Sequence, residues 1–157
     1  MIRLQEVKLE DRELLWNINQ KYLYEMTMYY PDEMDEQGNY HYGYFEAYFT
    51  DAKRKAFFIY DEETLVGFAM LNPYSYIEHQ PDYTMAEFTI FPVYRRKHYA
   101  IDAADLILSG NRGKWEIKYN EKNMGAKKLW TRVTKPYAPV VYHINDEETV
   151  LEFTNYY

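Results

Sequence analysis

Three consecutive cations, Arg95, Arg96 and Lys97, stand just after Pro92 and just before a helical pattern that begins near Tyr99. A helix start already presents unpaired N–H groups and the positive end of the macrodipole, so cations placed there are locally unfavourable. An anion docked on the turn removes the conflict. A second stretch has the opposite chemistry. Between residues 29 and 48, Tyr29, Tyr30, Tyr40, Tyr42, Tyr44 and Tyr48 are interleaved with Asp32, Glu33, Asp35, Glu36 and Glu46. Aromatic faces beside carboxylates suit a cationic amine, through cation–π attraction and ion pairing. The alternative is a polar loop whose tyrosines cover the core.

The charge distribution repeats this division. Residues 1–50 hold four Lys or Arg against ten acids, whereas residues 95–135 hold eleven against four, within a chain of net charge −7. Two ligand environments, one for a cation and one for an anion, fit that asymmetry; two ordinary solvated faces are the alternative. The absence of cysteine excludes disulfides, thiolate nucleophiles and Cys-based metal sites. His41, His79, His98 and His143 are far apart and lack the short spacings that set two ligands on one face, so no metal is expected. The basic region from Arg112 to Lys135 carries its aromatics at core periodicity in an acidic chain, which argues against nucleic acid. No stretch is long and apolar enough to be a membrane span, and the first residues do not read as a signal peptide, so no membrane partner and a cytoplasmic location are expected.

The elements that must position these residues follow from periodicity. Residues 1–7 read as a strand, and Asp11 can cap a helix carrying Leu14, Leu15, Ile18, Tyr22 and Met26 that ends before Pro31. A short helix is expected from about Tyr44 to Asp51. Ala56 to Tyr60 and Leu65 to Leu71 form a hairpin, and Tyr83 to Phe91 adds a further strand with Met85, Glu87 and Thr89 on one face and Ala86, Phe88 and Ile90 on the other. After the helix from Tyr99, ended by Gly110 or Gly113, come a strand through Trp115, Ile117 and Tyr119 and a helix capped by Asn123 and stopped by Pro136. A last hairpin joins residues 140–144 to 150–153. This order predicts a single α+β domain over residues 1–157, with a mixed sheet and helices on both faces.

That order, with the cationic turn, resembles the GNAT superfamily of acetyl-CoA-dependent N-acetyltransferases across nearly the whole chain. Arg95-Arg96-Lys97-His98-Tyr99-Ala100 occupies the place of the family motif Arg/Gln-x-x-Gly-x-Gly/Ala, and Asn123-Met124-Gly125-Ala126 matches Asn-x-x-Ala at the start of the next helix. The resemblance implies a mostly antiparallel sheet of about seven strands, splayed between the fourth and fifth. It implies acetyl-CoA as co-substrate, with its diphosphate on the backbone N–H groups of Arg96, Lys97, His98, Tyr99, Ala100 and Ile101 beside Arg95, as anion binding at a helix N-terminus. It also places the pantetheine arm along Phe88, Ile90 and Asn123, with Ile90 N–H as the oxyanion contact. Two positions depart from the family pattern: His98 stands where the first motif Gly is usual, and Trp130 where a general-acid Tyr is frequent.

The reaction so implied is direct attack of a neutral primary amine on the acetyl thioester, without a covalent enzyme intermediate. Such an amine must lose a proton, and Glu87 on the fourth strand matches a frequent family base; an ordinary exposed strand glutamate is the alternative. The acceptor is then a small-molecule or peptide amine, such as a polyamine, an aminoglycoside-like sugar or a peptide, met by Tyr29, Tyr30, Tyr40 and Tyr44. A catalytically silent acetyl-CoA sensor with the same fold is the competing reading, and the protein is expected to be a monomer or a homodimer.

Overall fold

The computed structural model describes residues 1–156. Its strands are β1 (Ile2–Glu6), β2 (Lys55–Asp61), β3 (Thr64–Asn72), β4 (Tyr83–Ile90), β5 (Lys114–Asn120), β6 (Val140–His143) and β7 (Glu148–Thr154). The helices are α1 (Arg12–Met26), α2 (Tyr99–Gly110) and α3 (Met124–Thr134). One seven-stranded sheet has the order β1-β2-β3-β4-β5-β7-β6, antiparallel throughout except for the parallel pair β4–β5. No helix among the described residues is long and apolar enough to cross a membrane.

Two apolar faces explain the layering. Leu15 and Ile18 of α1, with Phe45 and Tyr48 of the following loop, cover Phe58, Phe68 and Met70 on one side of the sheet. On the other side Ala104, Ile107 and Leu108 of α2 and Trp130 and Val133 of α3 cover Leu71, Met85, Trp115, Ile117 and Phe153. The strict alternation of β5 therefore sends Trp115, Ile117 and Tyr119 under α2 and α3, and Glu116 and Lys118 to the α1 side.

Three local expectations change. Asp11 Oδ2 accepts from Lys8 N–H (3.1 Å) and so closes a 3-10 turn at Leu9–Asp11; it gives no side-chain cap to α1. The helix expected from Tyr44 to Asp51 is a single 3-10 turn, Glu46–Phe49. The third change shapes the site. β3 pairs Met70 with Glu87 and then Leu71 with Met85, so Ala86 is an extra residue, a β-bulge. One inserted residue reverses the alternation: Met85 joins the core beneath α2 and α3, while Glu87 lies opposite Met70 on the α1 side. Simple alternation, by contrast, sets Met85 and Glu87 on one face.

The bulge also ends the pairing of β4 with β5. These strands are in register only at Tyr83–Trp115, Thr84–Glu116 and Met85–Ile117, and both continue for several residues beyond. β4 is meanwhile held against β3 by a close approach at Gly67, where a Cβ would lie 2.1 Å from the Thr89 carbonyl oxygen. The expected splay between the fourth and fifth strands is thus present: the bulge at Ala86 and the close approach at Gly67 both lie on the β3 side and hold β4 there as β5 diverges.

Candidate active site

The splayed gap opens into a cavity of about 880 Å³, bordered by residues 86–90 of β4, residues 118–120 of β5, the first turn of α2 and part of α3. Following β4 from Glu87 to Ile90 and on through the turn to Tyr99 leads from one end of the cavity to the other. The two ends differ in chemistry.

At the α2 end the backbone does what a glycine-rich turn would do, with no glycine in it. Arg96 (φ 67°) and His98 (φ 63°) both occupy the left-handed region. His98 is the residue before the helix and makes no side-chain cap, so the N–H groups of Tyr99, Ala100 and Ile101 face forward without an intrahelical partner. Successive N–H groups in such a turn form an anion-binding concavity. Arg96, His98, Tyr99, Ala100 and Ile101 all border the cavity. Lys97 does not, and the Tyr99 hydroxyl donates to Asp61 (2.6 Å). A left-handed conformation strains an L residue by about 1–2 kcal/mol, whereas glycine forfeits roughly 0.5–1 kcal/mol of chain entropy on folding. His98→Gly is therefore expected to raise the melting temperature by about 2–4 °C without weakening acetyl-CoA. Thermal melts and a calorimetric titration check both parts, and an unchanged or lower melting point would show that the His98 side chain itself holds the turn.

Arg95 has a different role from its neighbours. Its Nε donates to the Ile90 carbonyl (2.7 Å), and its guanidinium donates to both Glu25 oxygens (2.6 and 2.7 Å) and to Thr89 Oγ1 (3.2 Å). Of the three cations that crowd the helix start in the sequence, this one is answered by α1 and braces the turn against the end of β4.

In the gap itself the strand's free edge is available. Phe91 N–H donates to Val66 O (2.8 Å), toward β3. Alternation along the antiparallel ladder then turns the N–H groups of Ile90 and Phe88 to the opposite side, where β5 has already diverged. An extended ligand arm lying in the gap would meet these groups. Asn123, at the start of α3, also borders the cavity, and its Oδ1 accepts from Ala126 N–H (3.1 Å) as the expected helix cap. Trp130 is buried, with its ring edge-to-face on Phe88 (5.0 Å between centroids), and so packs the wall.

At the other end stands Glu87. Tyr42 donates a 2.7 Å hydrogen bond to its Oε2. Burial pushes the Glu87 carboxyl up to about 7, and the Tyr42 hydroxyl, the Lys118 charge and the Tyr22 hydroxyl pull it back part of the way. The phenols around it are held neutral: burial, then the Glu87 charge, moves Tyr22, Tyr42 and Tyr76 upward, and Tyr30 reaches about 12 through burial and Glu148. Tyr76 is delivered by the loop between β3 and β4, which a fully buried carboxylate anchors. Glu116 accepts from Ser75 Oγ (2.6 Å) and from Tyr76 N–H (2.7 Å). Among the described residues no His, Asp and Glu side chains are grouped to hold a metal ion.

Of the residues expected to meet the acceptor, Tyr29 and Tyr30 border the cavity, as does Asp32. Tyr40 and Tyr44 lie outside it. Tyr40 is buried with its backbone clamped by Gln20 (2.8 and 2.6 Å), and Tyr44 is exposed over Arg54 (5.0 Å). Tyr42, between them, points inward instead; Tyr22, Tyr76 and Lys118 also border the cavity, and nothing in their own segments marks them in the sequence. Replacing Tyr42 by Phe removes the donor that favours ionised Glu87, so the acid limb of a pH–rate profile is expected to move to higher pH, with a several-fold loss near neutrality. A profile that falls in height without shifting would separate Tyr42 from Glu87.

No protein-family model matches the sequence, and no curated protein does. Solved structures do. The chain is similar to an N-acetyltransferase from Staphylococcus aureus (15% identity, TM-score 0.66, covering 98% of this chain and 97% of that one). It is also similar to a GNAT-family acetyltransferase from Bacillus cereus (13%, 0.62, covering 100% and 99%). A third is Arabidopsis thaliana NAA60 in complex with acetyl-CoA (14%, 0.62, covering 98% of each chain). The fold is therefore that of the GNAT acetyltransferases.

Proposed function

We propose that residues 1–157 form one acetyltransferase domain that moves the acetyl group of acetyl-CoA to a primary amine of a small molecule or peptide. The observation that carries this reading is Glu87: a carboxylate pushed up to about 7, bonded to Tyr42, at the end of a splayed gap whose other end is a cationic helix start. A base is most effective when its pKa lies near the working pH.

The residues divide the work accordingly. The turn N–H groups and Arg96 hold the diphosphate, and the free edge of β4 at Phe88 and Ile90 aligns the acyl arm. Glu87, directly or through water, takes a proton from the incoming ammonium. The neutral nitrogen attacks the thioester carbonyl, with Ile90 N–H as donor to the developing oxyanion. The C–N bond forms and the C–S bond breaks; the nitrogen gives up its second proton through water to the departing CoA thiolate, and Glu87 returns the first to solvent.

A panel of primary amines assayed for CoA release, beside calorimetry with acetyl-CoA, tests the proposal. Turnover with at least one amine is expected. Saturable acetyl-CoA binding without CoA release from any amine would favour the sensor, and absence of binding would remove both readings.

A further inference from the structure

Lys118 enters the cavity from β5 on the same side as Glu87, at the end where the acceptor belongs. Its ammonium lies 2.9 Å from Glu148 Oε2, 4.6 Å from the centroid of the Tyr76 ring and 5.9 Å from that of Tyr30. Tyr30 donates to the same Glu148 oxygen (3.0 Å). Only 27% of the Lys118 side chain and 16% of the Glu148 side chain are exposed, so solvent does not screen this pair as it would a surface one. A carboxylate with two aromatic faces is recognition chemistry for an alkylammonium ion. The acceptor end thus contains two places suited to an amine: one at Glu87 and Tyr42, open to the gap, and one at Glu148, Tyr30 and Tyr76, filled by the protein's own lysine.

Resting on the transferase reading above, we propose that Lys118 is a specificity residue that makes the acceptor a monoamine. It occupies the seat a second ammonium would take, so diamines and polyamines are turned away. A ligand with one amine places it at Glu87 and leaves the Lys118–Glu148 pair undisturbed. A ligand with a second cationic centre brings that centre against Lys118, with Glu148 already engaged. Besides Glu87, the carboxylates that border the cavity among the described residues are Glu25, which is tied to Arg95, and Asp32, which is left to receive a further charge.

Emptying the seat should invert the preference. The comparison uses n-alkylamines and α,ω-diamines of four to six carbons, at a pH high enough to ionise Glu87. The readout is the ratio of kcat/KM for the diamine to that for the monoamine of equal length, in which general losses of activity cancel. The wild-type ratio is expected to be about 0.1 or lower, and Lys118→Ser to raise it about tenfold or more, the scale of one desolvated cation–π or ion-pair contact. Lys118→Met, which refills the seat with an apolar chain, should not raise it, and adding Glu148→Gln to Lys118→Ser should abolish the gain. A wild-type protein that prefers diamines, which needs no variant to observe, overturns the inference, as does a ratio unchanged in Lys118→Ser. If no amine is acetylated, the transferase reading falls. The same ratio measured as binding affinity by calorimetry then decides the inference: selective tightening of diamines on Lys118→Ser upholds it, and equal responses overturn it.

Discussion

Glu87→Gln is expected to lower kcat by about 10²–10³-fold while leaving acetyl-CoA affinity unchanged. The amide fills the same space and still accepts from Tyr42, so the change removes basicity and little else. In the wild-type protein, rate should climb with pH through about 7, because Glu87 must be ionised to take a proton and burial has raised it to that value. The variant should lack this limb. A loss confined to KM would remove Glu87 from the base role. The same group makes an independent stability prediction. Its folded pKa lies above the ordinary 4.5, so the stability contributed by its protonated form is complete below that value and is lost as pH rises to about 7. Gln has no such dependence. The melting temperature of Glu87→Gln relative to wild type should therefore grow from about pH 5 to about pH 8 and then level off. On the proposed mechanism, Glu87 weakens the fold when ionised in exchange for activity.

How much of this site the sequence discloses depends on how local its determinants are. The cationic turn before α2 is legible because Pro92, three cations and a helical pattern are contiguous, and the Asn123 cap is legible because Asn and Ala126 are three residues apart. The bulge at Ala86 leaves no mark, since an inserted residue in an apolar strand still reads as alternation; only pairing with β3 fixes the phase at which Met85 and Glu87 part. The tyrosine-rich loop is less legible for a related reason. Its aromatics recur at Tyr40, Tyr42 and Tyr44, but an irregular backbone has no period, and Gln20, Glu87 and Arg54 decide which ring goes where. Lys118 and Tyr76 are set by partners distant in the chain, Glu148 and Glu116, and within their own segments they look like ordinary strand and loop residues. The charge conflict at the helix start is likewise smaller than the sequence implies, because Glu25 answers Arg95 from α1.

That last difference gives two adjacent arginines opposite consequences. Arg96 is exposed, borders the cavity and sits at the helix start beside N–H groups that face forward. Arg96→Glu keeps the backbone and suits the helix dipole, yet sets a carboxylate at the place proposed for the diphosphate. Loss of a charge-assisted contact with added repulsion, about 2–3 kcal/mol, corresponds to roughly 30–150-fold weaker acetyl-CoA binding, with the melting temperature nearly unchanged. Arg95→Gln should do the reverse. It removes the brace to Ile90, Thr89 and Glu25, and since this side chain is 40% exposed its ion pair is partly screened, leaving about 1 kcal/mol of stability and a fall of about 2–4 °C. Its effect on affinity should be the smaller one, transmitted only through the turn it supports. Titrations and melts on the two variants separate the roles. If both weaken acetyl-CoA alike and neither moves the melting point, Arg95 is a ligand contact, and its bonds to Glu25 and Ile90 must give way when acetyl-CoA binds.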